Sequence, residues 1–200
     1  MRRALRQLMR PGEDAPPRAV QLHIGEYRVA RTPEVLYTLL GSCVAVCLYD
    51  AAAGTGGMNH ILLPGRADDD RRMGEVARFG HDAVELLVQA LVAAGASRRR
   101  LAAKLFGGGH VIRLMDESTS PVHRNVAFIR GLMRAERIPV VASDLGGYEA
   151  RKVWFRTDTA DVLLKRVPVQ LVAAVRREEG RFRRQALALA GPPRPRAGPK

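Results

Sequence analysis

The chain has 200 residues, 46% of them hydrophobic, and carries 33 Lys and Arg against 20 Asp and Glu, a formal charge of +13. That is room for one ordinary domain with a real core, and it excludes wholesale disorder. Two cysteines exclude a disulfide-rich secreted scaffold; no apolar run reaches the roughly 20 residues of a membrane-spanning helix, and no apolar stretch follows the basic N-terminus to form a secretory signal, so a soluble cytoplasmic protein is expected.

Residues 1–18 hold five basic and two acidic residues among Pro11-Gly12 and Pro16-Pro17, and read as a basic, flexible segment. Residues 20–30 alternate apolar and polar positions and read as one strand bent near Gly25. Residues 35–40 and 44–49 are short apolar runs rich in β-branched residues, two buried strands separated by Gly41-Ser42-Cys43. Residues 50–57 read as a turn, and 58–63 as a further strand stopped by Pro64-Gly65. The mixed-charge loop 66–72 includes Asp68, Asp69 and Asp70 but lacks the spacing and glycine of a calcium loop.

From Met73 to Ala94 apolar residues recur every three or four positions, an amphipathic helix stopped by Gly95. Residues 104–106 form a short strand running into Gly107-Gly108-Gly109. That glycine run lacks the Lys-Ser/Thr of a phosphate loop and reads as a tight turn or a close backbone approach. A second helix fits 122–136. A strand at 139–142 leads to the turn Asp144-Leu145-Gly146-Gly147, and 153–156 with 161–166 read as a hairpin. A last helix fits 169–179. Residues 176–200 form a basic tail rich in Pro and Arg, with eight basic and two acidic residues. The expected domain therefore covers 19–175, a mixed α/β fold. Most of the charge lies on the two ends, and only 5% of residues are aromatic, too few for a base-stacking platform. Nucleic acid is not the expected partner; the tails read as solvating charge.

Cys43 is the first candidate for chemistry. A tight turn at Gly41-Ser42-Cys43 could lift the thiol and direct the backbone N–H groups of Ser42 and Cys43 at a developing oxyanion. A small buried thiol is the competing reading. Cys47, inside its strand, reads as core. Among the five histidines, His60 stands out: seventeen residues after Cys43, it fits a neighbouring strand that brings imidazole to thiol. His81 and His110 are weaker candidates. No Cys-x-x-Cys pair or close His cluster favours a metal.

These residues fall in a recognisable order. Thr38-Leu39-Leu40-Gly41-Ser42-Cys43-Val44-Ala45-Val46-Cys47-Leu48-Tyr49-Asp50 and Gly57-Met58-Asn59-His60-Ile61-Leu62-Leu63-Pro64 resemble the signature of the CheD family of chemoreceptor glutamine deamidases. So do Arg78-Phe79-Gly80, Lys104-Leu105-Phe106-Gly107-Gly108-Gly109, Arg124-Asn125-Val126, and Asp144-Leu145-Gly146-Gly147 followed by Arg151-Lys152-Val153. The resemblance implies a layered α/β/β sandwich related to bacterial toxin deamidases. It implies Cys43 as nucleophile, His60 as base and Thr38 as the third residue, with no metal or organic cofactor. The implied substrate is the cytoplasmic helical region of chemoreceptors, and a CheC-type phosphatase is an implied partner; the alternative reading is a non-catalytic chemotaxis module that binds receptor or such a phosphatase.

Overall fold

The protein is described by a computed structural model, which covers residues 1–13, 15, 17–61, 73–111 and 121–167. The expected loop at 66–72, the helix at 169–179 and the tail at 176–200 lie outside the described residues. The described residues form three helices and nine strands in two sheets. The strands are β1 (Arg18–Gln21), β2 (Tyr27–Ala30), β3 (Glu34–Leu40), β4 (Val44–Asp50), β5 (Thr55–Ile61), β6 (Ala102–Gly107), β7 (Val140–Leu145), β8 (Ala150–Arg156) and β9 (Val162–Val167). The helices are α1 (Arg2–Gln7), α2 (Met73–Ala93) and α3 (Pro121–Ala135). One sheet runs β1-β3-β8-β9, the other β2-β5-β4-β6-β7.

The layering follows from which strand faces are apolar. Leu36 and Leu40 on β3 and Val153 and Phe155 on β8 meet Ala45, Cys47, Met58 and Phe106 of the other sheet, filling the gap between the sheets. The opposite face of β4 and β6, with Val46, Leu48 and Leu105, packs on Leu87, Val88 and Leu91 of α2 and Ile129 and Met133 of α3. Both faces of β4 are thus buried, which is why its sequence is apolar throughout rather than alternating. This is the expected α/β/β sandwich, with the two long helices where periodicity puts them.

Four local expectations change. Residues 20–30 are not one bent strand: β1 pairs with β3, while β2 pairs with β5 in the other sheet. Thr55, Gly56 and Gly57 belong to β5 rather than to a turn. At Gly56 a Cβ would lie 2.5 Å from the Thr157 carbonyl, so the glycine marks close packing, not chain reversal. β7 runs on through Asp144 and Leu145, leaving only Gly146-Gly147 to turn. Finally, residues 1–18 contain α1, whose Ala4 and Leu5, with Leu8 just beyond it, pack against Val35 and Trp154 on the outer face of β3 and β8. The Arg and Pro content of this segment masks a short apolar stripe at helical spacing.

Candidate functional site at one end of the sandwich

β3 and β4, adjacent in sequence, lie in different sheets, so Gly41-Ser42-Cys43 is the corner where the chain crosses the gap. Residues 22–26 make a second crossing, from β1 to β2. The pairings Gln21↔Tyr37, Val44↔Gly107 and Leu40↔Arg151 put the ends of β1, β3 and β6 and the start of β8 at this same end.

β4 and β5 form an antiparallel hairpin, one of the arrangements the spacing allows, with Ala45 opposite His60. Cross-strand partners share a face, so His60 points into the gap with Ala45, while Asn59 faces α2 and donates to the Ala83 carbonyl at 3.1 Å. Cys43 lies two residues before Ala45 and is the diagonal neighbour of His60 on that face. Diagonal neighbours are about 7–8 Å apart at Cα, within reach of an imidazole. Thr38 is the polar interruption of the Leu36–Leu40 stripe on the facing sheet, and its Oγ1 is 2.7 Å from His60 Nδ1. The same hydroxyl donates to the Leu22 carbonyl at 2.8 Å. A hydroxyl has one proton, so Thr38 must accept from His60 Nδ1–H, and the neutral imidazole then carries its lone pair on Nε2. The ring is held further by its own backbone: His60 N–H donates to Glu26 O at 2.9 Å and His60 O accepts from Gly25 N–H at 2.8 Å. Cys43, Thr38 and His60 are all enclosed, at 0%, 1% and 3% exposure.

The Gly107–Gly109 run makes a close backbone approach, one of its two sequence readings. Gly108 N–H donates to Cys43 O and Gly109 N–H to Gly41 O, both at 2.7 Å. A Cβ at Gly107, where φ is +108°, would meet the Cys43 carbonyl oxygen at 2.2 Å. The glycine run therefore braces the turn that carries the thiol. His110 follows it, half-buried, with its ring 4.9 Å from that of His123 and 5.8 Å from that of Tyr148. His110 is a weaker candidate in the sequence; the His123 and Tyr148 rings beside it are additions to the neighbourhood that the sequence does not single out. Cys47 is a core residue, and burial pushes its thiol well above the ordinary value. His81 lies elsewhere, 3.2 Å from the Glu136 carboxylate. Among the described residues no group of three or more His, Cys, Asp or Glu could hold a metal. A groove of about 310 Å³ between α3 and β7, lined by Arg130, Met133 and Val140 among others, involves none of these site residues.

The family model for CheD, described as chemotactic sensory transduction, matches residues 62–166. A relative from Stenotrophomonas maltophilia (strain K279a), named "Probable chemoreceptor glutamine deamidase CheD", is 44% identical over 152 residues, covering 75% of this chain and 74% of its own. "Probable chemoreceptor glutamine deamidase CheD 2" of Chromobacterium violaceum is 44% identical over 161 residues, 80% of this chain and 79% of that one. A Rhizobium rhizogenes relative, again named "Probable chemoreceptor glutamine deamidase CheD", is 47% identical over 141 residues, 70% of this chain and 75% of its own. Identity at that level over so much of both chains carries the match beyond the matched span, and the chain belongs to the CheD family.

Proposed function

We propose that the protein is a chemoreceptor glutamine deamidase, hydrolysing the side-chain amide of selected glutamines in the cytoplasmic helical region of chemoreceptors. The observation that carries the mechanism is the relay from Leu22 O through Thr38 to His60 Nδ1, which leaves Nε2 as the basic nitrogen. His60 takes the Cys43 thiol proton on Nε2, and the thiolate attacks the amide carbon. Backbone N–H groups at Ser42 and Cys43 face the oxyanion, on a turn that the glycine run holds still. The imidazolium returns its proton to the departing nitrogen, which leaves as ammonia, and a thioester remains. His60 then takes a proton from water; the hydroxide adds to the thioester, the Cys43 thiolate leaves, and the product is glutamate. Thr38 orients the ring throughout. Because Cys43 and His60 are covered, each turnover includes an opening that admits the glutamine side chain.

Among the described residues no helix is long and apolar enough to cross a membrane. The reading places the protein in the cytoplasm, where the receptor helices are. The test is mass spectrometry of a receptor cytoplasmic fragment after incubation with the protein. Wild type converts glutamine to glutamate at defined positions and Cys43→Ala does not; conversion by Cys43→Ala at the wild-type rate sinks the mechanism. A CheC-type phosphatase as partner is a separate part of the proposal, read by the same variant: its binding survives Cys43→Ala, whereas turnover does not.

A further inference from the structure

The Asp144-Leu145-Gly146-Gly147 segment and Arg151 take no part in the chemistry above, yet Arg151 is only 3% exposed. It lies opposite Leu40, the last residue before the Gly41–Cys43 corner, and therefore points into the gap at the end where Cys43 lies. The guanidinium spends its donors on three different groups. Nε donates to Asp144 Oδ1 at 2.6 Å, Nη1 to Glu149 O at 2.9 Å and Nη2 to Gly146 O at 2.5 Å. From that turn the bonds run on without a break. Gly146 N–H donates to Gly107 O at 2.9 Å, and His110 N–H to Gly147 O at 2.7 Å. Gly108 and Gly109 then hold Cys43 O and Gly41 O. The guanidinium also fills the space over the glycine run: a Cβ on Gly109 would lie 3.1 Å from Arg151 Nη1.

An apolar side chain of similar volume would fill this space without the desolvation cost of an enclosed charge, but it would grip neither carbonyl. Only a planar fork serves a carboxylate and two carbonyls at once. We propose that Arg151 is a positioning residue for the site, clamping the 146–147 turn so that the Gly107–Gly109 run holds the Cys43 corner in one orientation. It acts through the backbone and does not touch the reacting atoms. The kinetic consequence rests on the deamidase reading; the structural consequence does not.

The test compares Arg151→Gln, Arg151→Lys and Asp144→Asn with wild type, with Arg166→Gln as control. Arg166 also reaches the Asp144 carboxylate, at 3.2 Å, but from an exposed position. Two quantities are read: kcat and KM for deamidation of the receptor fragment, and amide hydrogen exchange in peptides spanning 105–111 and 44–50. Arg151→Gln lowers kcat by about 10²-fold, the scale of a small misplacement at a reacting group, with KM unchanged. Exchange at 105–111 quickens about tenfold while 44–50 keeps its protection. Arg151→Lys recovers only part of kcat, since an ammonium replaces one arm of the fork. Arg166→Gln matches wild type. The proposal is overturned if Arg151→Gln keeps wild-type kcat, if both peptides lose protection equally, or if Arg166→Gln loses as much as Arg151→Gln. Should Arg151→Gln not fold, Asp144→Asn decides: the guanidinium loses its carboxylate, and unchanged kcat and exchange overturn the proposal. A wild type that deamidates nothing refutes the deamidase reading alone, and the exchange arm still decides the role of Arg151.

Discussion

The Thr38 hydroxyl proton is committed to the Leu22 carbonyl, so the oxygen can only accept from His60. That single commitment selects the tautomer, and it separates two substitutions of similar size. Thr38→Ser keeps both hydrogen bonds and retains most of kcat. Thr38→Val keeps the volume but leaves Nδ1–H and the Leu22 carbonyl unmet. Its kcat falls on the order of 10²-fold, the low end of what a positioned acid–base group contributes. Deamidation kinetics of the two variants check this, and equal rates for both would remove Thr38 from the mechanism. The contrast between the two cysteines is also decided at this scale. Both are buried, and both lie on the gap side. Cys47 stands opposite Met58 in mid-strand, where burial disfavours its thiolate, whereas Cys43 stands at the corner beside the imidazole's strand.

At the scale of elements, the β4–β5 hairpin is fixed at its far end by Asp50. This enclosed carboxylate accepts from Ala52 and Ala53 N–H in the turn, from Ser97 N–H at 2.8 Å and from Arg100. The Arg100 guanidinium, with those amides, holds the carboxyl at about 2, below its ordinary 3.8, against the opposing effect of burial. A depressed folded value means the contribution is complete above about pH 4 and is lost as pH falls towards 2. Asp50→Asn loses about 1–3 kcal/mol at neutral pH through donors left poorly met. It also flattens the acid limb of the stability curve. Urea unfolding of both proteins across that range checks it; parallel acid limbs would show that Asp50 carries no such linkage. The same hairpin shows what sequence can and cannot reveal. Its existence was legible, because strand length, turn and spacing are local; the face His60 takes follows only from the register. The separation of β3 and β4 into different sheets was not. Both are short apolar runs, and a strand buried on both faces has no alternation to say which layer it joins. Thr38 could be matched only by resemblance, since nothing local shows that a threonine on one sheet meets a histidine on the other. Arg151 reads locally as one more strand arginine, because its meaning lies in three partners, one of them seven residues away in another sheet.

At the scale of the molecule, a buried arginine held in ion pairs lies at each end of the sandwich. Arg151 closes the site end, and Arg156 closes the other. Arg156 is fully enclosed; it is paired with Asp158 at 2.7 Å and with Glu13, and donates to the Leu8 carbonyl at 2.6 Å. Glu13 is held at about 2 by that guanidinium, below its ordinary 4.5. These contacts bind the N-terminal segment to the outer face of the first sheet, where Leu5 and Leu8 cover Val35 and Trp154. The site is on the other face of that sheet, so the N-terminal segment should govern stability without governing chemistry. Replacing Leu5 and Leu8 together by Ala removes two apolar side chains from a peripheral cluster and costs about 4 kcal/mol, the low end for two buried leucines. In a chain of this size that lowers Tm by roughly 10 °C. Below the transition kcat stays within about twofold of wild type, since sites that share no partner act additively. Thermal unfolding and deamidation at low temperature separate the two effects. An unchanged Tm would mean that α1 does not bear on the sheet, and a folded variant with depressed kcat would mean that the outer face reaches the Cys43 corner through β3.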